Sequence, residues 1–393
     1  MTELHRLEGE EMLDVMFPLG MYAFHSSPPF PDREEWAQYA RQRKNATYYS
    51  ISENGEALTG AGSTPMKENV RGAIYPTSAV WGVTTHPSAR RKGYCKQTLS
   101  ALLASNHEDG QIFSALYPFR ESFYERLGYI TLPMPLKAEL DPRALTPLLQ
   151  KDLGGEVVFK PLSEVYDLYR AFLYRMQADV HGLSVFDQST PYVATRRPAW
   201  VALAYVNGGL DGIMIYTLTG DEITNFTLKA ERFYYRTSRG RSLLLSWVAR
   251  HVDQAGQAVL MLAPYERPET WLVDIRAKVS GMGEHIPMGR VLDVSKIGGM
   301  QTGPGSFSTK IRDPFCPWNE GCWRFETQDG RLQVSKSDQA ECDLSIQALS
   351  ALAYGTLPPQ DFWLRGWGDP PAELIERMRT MFPPMLPHLH EMF

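Results

Sequence analysis

One order of elements occurs twice in this chain. Thr47–Glu53 reads as a strand, Glu53-Asn54-Gly55 as a turn and Glu56–Thr64 as the returning strand. Tyr75–Thr85 is a third strand. From Arg91 to about Asn106 the period becomes helical, with Cys95, Leu99, Leu102 and Leu103 on one apolar stripe. Gly110 ends that helix, Gln111–Tyr117 is a strand, Arg120–Leu127 a short helix closed by Gly128, and Tyr129–Leu140 a strand. The middle of the chain runs the same course with other residues. Val157–Pro161 leads into a helix at Ser163–Gln177, and Trp200–Val206 and Leu210–Leu218 form a hairpin about Asn207-Gly208-Gly209. Ile223–Tyr235 is then a strand, Ser242–Ala255 a helix and Ala258–Ala263 a strand. This is a degenerate structural repeat, and its alternation of strands and helices predicts α/β folding.

A break falls near Asp141–Gly155, where Pro142, Pro147, Gly154 and Gly155 interrupt any pattern. Past about Pro287 the character changes again. Met300–Ser306 is glycine-rich, Gly321–Glu326 and Arg331–Ser335 pair around Asp329-Gly330, Leu344–Tyr354 is helical, and the chain ends in a proline-rich tail. This predicts a third, α+β domain, as the length of 393 residues allows. The 40 Lys and Arg face 45 Asp and Glu, so the balance gives no reason to expect nucleic acid as partner. The N-terminus lacks a secretory pattern and no apolar run approaches the ~20 residues of a membrane span. Cys95, Cys316, Cys322 and Cys342 form neither a disulfide framework nor a metal site with histidines. A cytoplasmic protein that binds neither metal nor membrane is expected.

The chemistry gathers in Val80–Lys96, VWGVTTHPSARRKGYCK. A strand ends at Thr85, Pro87 breaks it, and a helix begins within Arg90-Arg91-Lys92-Gly93. The first amides of a helix have no acceptor inside it, and the helix dipole favours an anion there. Gly93 permits close approach, and the cations supply charge-assisted hydrogen bonds. The spacing predicts a diphosphate-bearing ligand, although it matches neither Gly-x-x-x-x-Gly-Lys-Ser/Thr nor Gly-x-Gly-x-x-Gly. About thirty residues on stands Phe123-Tyr124-Glu125-Arg126-Leu127-Gly128-Tyr129. A tyrosine there, on a short helix, carries a hydroxyl that can donate a proton.

The Arg-x-x-Gly-x-Cys spacing of Arg90, Gly93 and Cys95 resembles the diphosphate turn of Gcn5-related N-acetyltransferases (GNAT). The Phe123–Tyr129 stretch resembles a second element of that superfamily. Over nearly its full length the chain is similar to the Eis (enhanced intracellular survival) acetyltransferases. The resemblance implies two tandem GNAT folds, the second degenerate, followed by a domain of sterol-carrier-protein-2-like fold. The expected boundaries are 1–150, 151–290 and 291–393. It implies acetyl-CoA as co-substrate, a primary amine (aminoglycoside, polyamine or lysine side chain) as acceptor, and a hexamer. Mapped by position, Val83, Thr84 and Thr85 meet the pantetheine arm. Arg91, Lys92, Gly93, Tyr94, Cys95 and Lys96 hold the diphosphate with Arg90 beside them. Phe119 and Arg120 flank the cofactor, while Phe24 and Trp36 line the amine pocket.

The same mapping makes Tyr124 the general acid and the terminal carboxylate of Phe393 the general base. Two departures from the family pattern stand out. Met392 occupies a position where an acid would attract a cationic amine, with Glu391 a candidate substitute, and the loop His25-Ser26-Ser27-Pro28-Pro29 maps onto nothing. In the second repeat, Arg236-Thr237-Ser238-Arg239-Gly240 sets its glycine one position late, so no cofactor is expected there. The competing reading is a lipid or sterol carrier with a relic acetyltransferase domain.

Overall fold

The computed structural model describes residues 2–25, 27–188, 198–281 and 286–393; Ser26 of the unmapped loop lies outside them. The chain opens with β1 (Thr2–Leu7), α1 (Gly9–His25) and α2 (Arg33–Ala40). There follow β2 (Thr47–Glu53), β3 (Glu56–Val70), β4 (Ala73–Thr85), α3 (Tyr94–Glu108), β5 (Phe113–Leu116), α4 (Glu121–Glu125) and β6 (Ile130–Thr131). Strands β1 to β4 are antiparallel in chain order and β5 is parallel to β4. The turn at Asn54-Gly55 has φ of 53° and 82°, the left-handed pair that a tight hairpin uses. Helix α3 makes the crossover and buries Leu99, Leu102 and Leu103 against Val80 and Leu116. It starts at Tyr94 rather than Arg91, because Arg91 (φ 65°) and Gly93 (φ 84°) are left-handed and cannot be helical.

The expected strand Tyr129–Leu140 does not exist as one piece. Pro133 and Pro135 offer no ladder donors, and the chain leaves the first sheet there. Next come β7 (Leu136–Leu140), β8 (Gly155–Pro161) and α5 (Leu162–Gln177). A short return, β9 (Ser184–Phe186), pairs with β3. Then β10 (Trp200–Val206), β11 (Gly209–Thr219), β12 (Phe226–Tyr235), α6 (Ser238–Ala249), β13 (Ala255–Leu262) and β14 (Lys278–Gly281) follow. The second sheet has the order β8-β10-β11-β12-β13-β7-β14, antiparallel throughout except for β12 and β13. With β15 (Met288–Val291) between β5 and β6, the first sheet shows the same succession of directions. The repeat read from the sequence is therefore a repeat of topology. The sequence reading missed β15, which fills in the first sheet the place that β7 fills in the second.

The two compact units consequently interleave along the chain. One comprises Met1–Pro133, Gln177–Ser189 and His285–Phe393, and the other Met134–Met176 and Thr190–Glu284. The first unit thus takes in both the first sheet and the C-terminal part of the chain.

The chain ends with β16 (Ser306–Arg312), β17 (Gly321–Gln328), β18 (Arg331–Lys336), β19 (Cys342–Ser345), α7 (Ile346–Tyr354) and α8 (Ala372–Met381). Helix α7 begins later than the expected Leu344, because the Ser345 hydroxyl accepts the Ala348 N–H and caps it. The four strands form one sheet in the order β18-β17-β16-β19. Its core is continuous with that of the first sheet: Tyr75 and Phe113 pack with Phe307, Phe325, Leu349 and Tyr354. Arg71, 2% exposed, clamps the join by donating to the carbonyls of Leu352 and Pro383 at 2.9 and 2.8 Å.

Glu68 of β3 is fully buried at the same join, where the Tyr354 hydroxyl donates to it at 3.0 Å. Burial pushes its carboxyl up to about 8, against the opposing hydrogen bonds from Tyr354 and Thr77. The folded state thus keeps a proton that the unfolded chain releases near the ordinary value of 4.5. Stability from this site is complete below that value and is lost as pH rises through about 8, at about 1.4 kcal/mol per unit. Glu68→Gln should flatten this slope, so that thermal melts of variant and parent separate most at pH 8–9 and converge near pH 5. Parallel melting curves across that range would contradict the assignment.

Candidate active site

Strands β4 and β5 pair only over Thr77–Val80 and Phe113–Leu116. Beyond Leu116 the two part, while β4 runs on to Thr85. A register shift between Gly60 and Gly62 of β3 leaves Gly82 and Val83 of β4 in a bulge, with Gly82 at φ 62°. The splay and the bulge leave backbone groups of Gly82–Thr85 without a strand on the β5 side. Val83, Thr84 and Thr85 thus stand where an extended arm can add to the edge of β4.

At the foot of that opening, the chain from Arg90 to Lys96 wraps the start of α3. No side chain caps this helix, and its first internal bond runs from the Gln97 N–H to the Gly93 carbonyl. The alternation of left-handed Arg91 and Gly93 makes a concave turn of amides, a form suited to anions. Arg90, Arg91, Lys92 and Lys96 are exposed around it. Gly93 is required by its own conformation, since a Cβ there would meet nothing within 4 Å yet φ is 84°. Cys95, in place of a smaller residue, packs into the cluster that contains Tyr124.

The corresponding helix start in the second unit is built differently. There the Asp211 carboxylate accepts the Gly240 N–H at 3.1 Å and the Thr237 hydroxyl at 2.5 Å. The protein's own anion sits at the N-terminus of α6.

A cavity of about 300 Å³ opens beside the splay. Tyr124 and Phe393, expected as acid and base from positions far apart in the chain, both line it. So do Val83, Thr84, Phe119, Phe24 and Trp36. Thr85, Arg120 at the start of α4, and the residues of the Arg90–Lys96 turn do not. Tyr124 is 3% exposed and packs edge-on against Phe119, Phe123 and Tyr129. Burial raises its phenol well above the usual tyrosine value, reinforced by Cys95 and Tyr129, so the hydroxyl stays protonated. Phe119 and Phe24, 67% and 63% exposed, stand at the mouth.

The last residues reach this cavity along a fixed course. The His388 N–H donates to the His181 carbonyl at 2.9 Å, and the Tyr117 hydroxyl to the Glu391 carbonyl at 3.0 Å. The Phe393 ring lies edge-on to Tyr117 and Phe186 at 5.4 and 6.1 Å between centroids. Glu391 accepts the Phe186 N–H on its carboxylate at 3.1 Å, which employs it in holding the tail.

Sequence reasoning missed Tyr48, Trp81, Arg43, Met16 and Tyr117, which complete the wall. Tyr48 stacks on Trp81 at 5.9 Å, and the Arg43 guanidinium lies 4.6 Å from the Trp81 ring centre. Gly60 and Gly62 make room for these rings, since a Cβ at either would collide with Tyr48 or Trp81. Those two glycines were the signal available in the sequence.

The splayed parallel strands, the β4 bulge and the open helix start define the class of a GNAT acyltransferase fold. Residues 4–131 match the acetyltransferase (GNAT) domain family, and residues 299–390 the sterol carrier protein domain family. The chain carries a GNAT acetyltransferase domain and is by class an N-acetyltransferase. An uncharacterized N-acetyltransferase of Streptomyces coelicolor is 25% identical, over 90% of each chain. A probable N-acyltransferase from Enterococcus faecalis shares the fold over all of both chains, at 19% identity and a TM-score of 0.83. Eis1 from Mycobacterium abscessus does so over all of both chains, at 16% identity and a TM-score of 0.79. The fold class implied by the Eis resemblance, a GNAT fold, a second sheet of the same topology and a sterol-carrier-like domain, is the one found.

Proposed function

We propose that the chain is an Eis-type enzyme that moves the acetyl group of acetyl-CoA directly to a primary amine. The observation that carries this reading is the contrast between the two helix starts. In the second unit an aspartate closes the turn, whereas in the first the amides around Gly93 are ringed by Arg90, Arg91, Lys92 and Lys96. A diphosphate suits the first and is repelled by the second.

With acetyl-CoA so held, the backbone of Val83–Thr85 aligns the pantetheine arm and an amide at the bulge polarises the thioester carbonyl. The terminal carboxylate of Phe393 takes a proton from the amine, which attacks that carbonyl. The carbon–sulfur bond breaks, and Tyr124 supplies the proton to the departing sulfur. Proximity in one cleft supplies much of the remaining rate.

The sterol-carrier-like domain gives the rival reading, a lipid carrier with a relic transferase, its discriminating test. Saturating acetyl-CoA should raise the melting temperature, because a ligand that binds the native state alone stabilises it. Stabilisation by fatty acids or sterols, and none by acetyl-CoA, would favour the carrier.

A further inference from the structure

A second cavity, of about 360 Å³, lies on the first sheet beside the C-terminal end of α3 and shares no lining residue with the one above. Further along that helix the packing is apolar, with Leu99, Leu102 and Leu103 against Val80 and Leu116. At the cavity it turns polar. Thr47 of β2, Ser63 of β3 and Ser78 of β4 meet Asn106, Asp109 and Gln111 from the end of α3 and the turn after it. Ser78, Asn106 and Gln111 are each at least nine-tenths buried. The Ser78 hydroxyl, the Asn106 amide nitrogen and the Gln111 side-chain carbonyl have no hydrogen-bond partner among the described residues. The Asn106 carbonyl is already taken, accepting from the Ser63 hydroxyl at 2.8 Å. Folded chains seldom bury such groups unpaired, and three on one wall point to an occupant that supplies the partners.

The chemistry of the wall defines that occupant. The amide nitrogen needs an acceptor and the carbonyl a donor, and a ligand hydroxyl serves as either. Charge narrows the choice. Asp109 has no ion pair among the described residues, and as the C-cap of α3 it stands at the negative end of the helix dipole. The wall's arginine, Arg6, is engaged with Glu8 at 3.4 Å, so an anion finds no open cation there. Among the described lining residues there is no aromatic ring on which a flat ligand would stack. We infer that this cavity binds a small non-aromatic amino polyol, a molecule of several hydroxyls and one ammonium group. The ammonium faces Asp109, and the hydroxyls meet Ser78, Asn106 and Gln111. The site is separate from acetyl transfer and does not rest on it.

The test is calorimetric titration of the full chain, at about pH 7, with glucamine, glucitol, hexylamine and gluconate. These are six-carbon chains that differ in hydroxyls and charge. Glucamine should bind at least about tenfold more tightly than glucitol or hexylamine, and gluconate should not bind. Asp109→Asn should remove the advantage of glucamine over glucitol. Gln111→Met should weaken both polyols without lowering the melting temperature of the ligand-free protein, because its carbonyl has no partner to lose. Glucamine binding that Asp109→Asn leaves unchanged belongs to another site and overturns the inference. A lower melting temperature in Gln111→Met with polyol affinity intact marks the wall as structural and overturns it too. So does binding of gluconate as tight as that of glucamine, or no glucamine binding at all, the result for a cavity that holds water only.

Discussion

A protein extended by one glycine beyond Phe393 is expected to lose acetyl transfer by about 100- to 10,000-fold, the range for removing a positioned base. The extension moves the carboxylate by one residue and leaves an amide in its place, which cannot accept the amine's proton. The tail itself stays anchored upstream, through the His388–His181 and Tyr117–Glu391 hydrogen bonds. Melting temperature and acetyl-CoA affinity should therefore match the parent protein. Phe393→Leu separates ring from carboxylate: it weakens the packing on Tyr117 and Phe186 but keeps the base, so substantial activity should survive. Undiminished turnover by the extended protein would remove Phe393 from the chemistry.

Tyr124→Phe should lower kcat by about 100-fold or more with acetyl-CoA affinity nearly unchanged. The ring contacts with Phe119, Phe123 and Tyr129 persist in phenylalanine, so the change deletes a proton donor and little packing. A thioester whose thiol is a stronger acid needs less help in leaving, and with such a donor the defect should shrink. Equal defects for both donors would mark Tyr124 as structural; no defect at all would exclude it.

How much of this was legible depended on whether a feature was contiguous. The Arg90–Cys95 turn and the Phe123–Tyr129 stretch each lie within one short segment, so the resemblance of each to a GNAT element could be read directly from the sequence. The repeat was visible because hairpin turns and helix periods survive changes of residue. Beyond Phe24 and Trp36, the cavity wall was not visible: Met16, Arg43, Tyr48 and Trp81 come from separate segments that the fold brings together. The exchange of β7 and β15 between sheets was also hidden. Pro133 and Pro135 mark where a strand must stop, but nothing local says which sheet the next strand joins. The role of Glu391 in holding the tail likewise depends on Phe186 of β9, far earlier in the sequence.

Whether the α3 start recognises a diphosphate is tested most directly by calorimetric titration of acetyl-CoA against acetylpantetheine. One acetyl-CoA should bind per chain, and acetylpantetheine, which keeps the thioester arm but lacks the diphosphate, should bind at least about 100-fold more weakly. Equal affinity for the two, or no binding of acetyl-CoA, would contradict it.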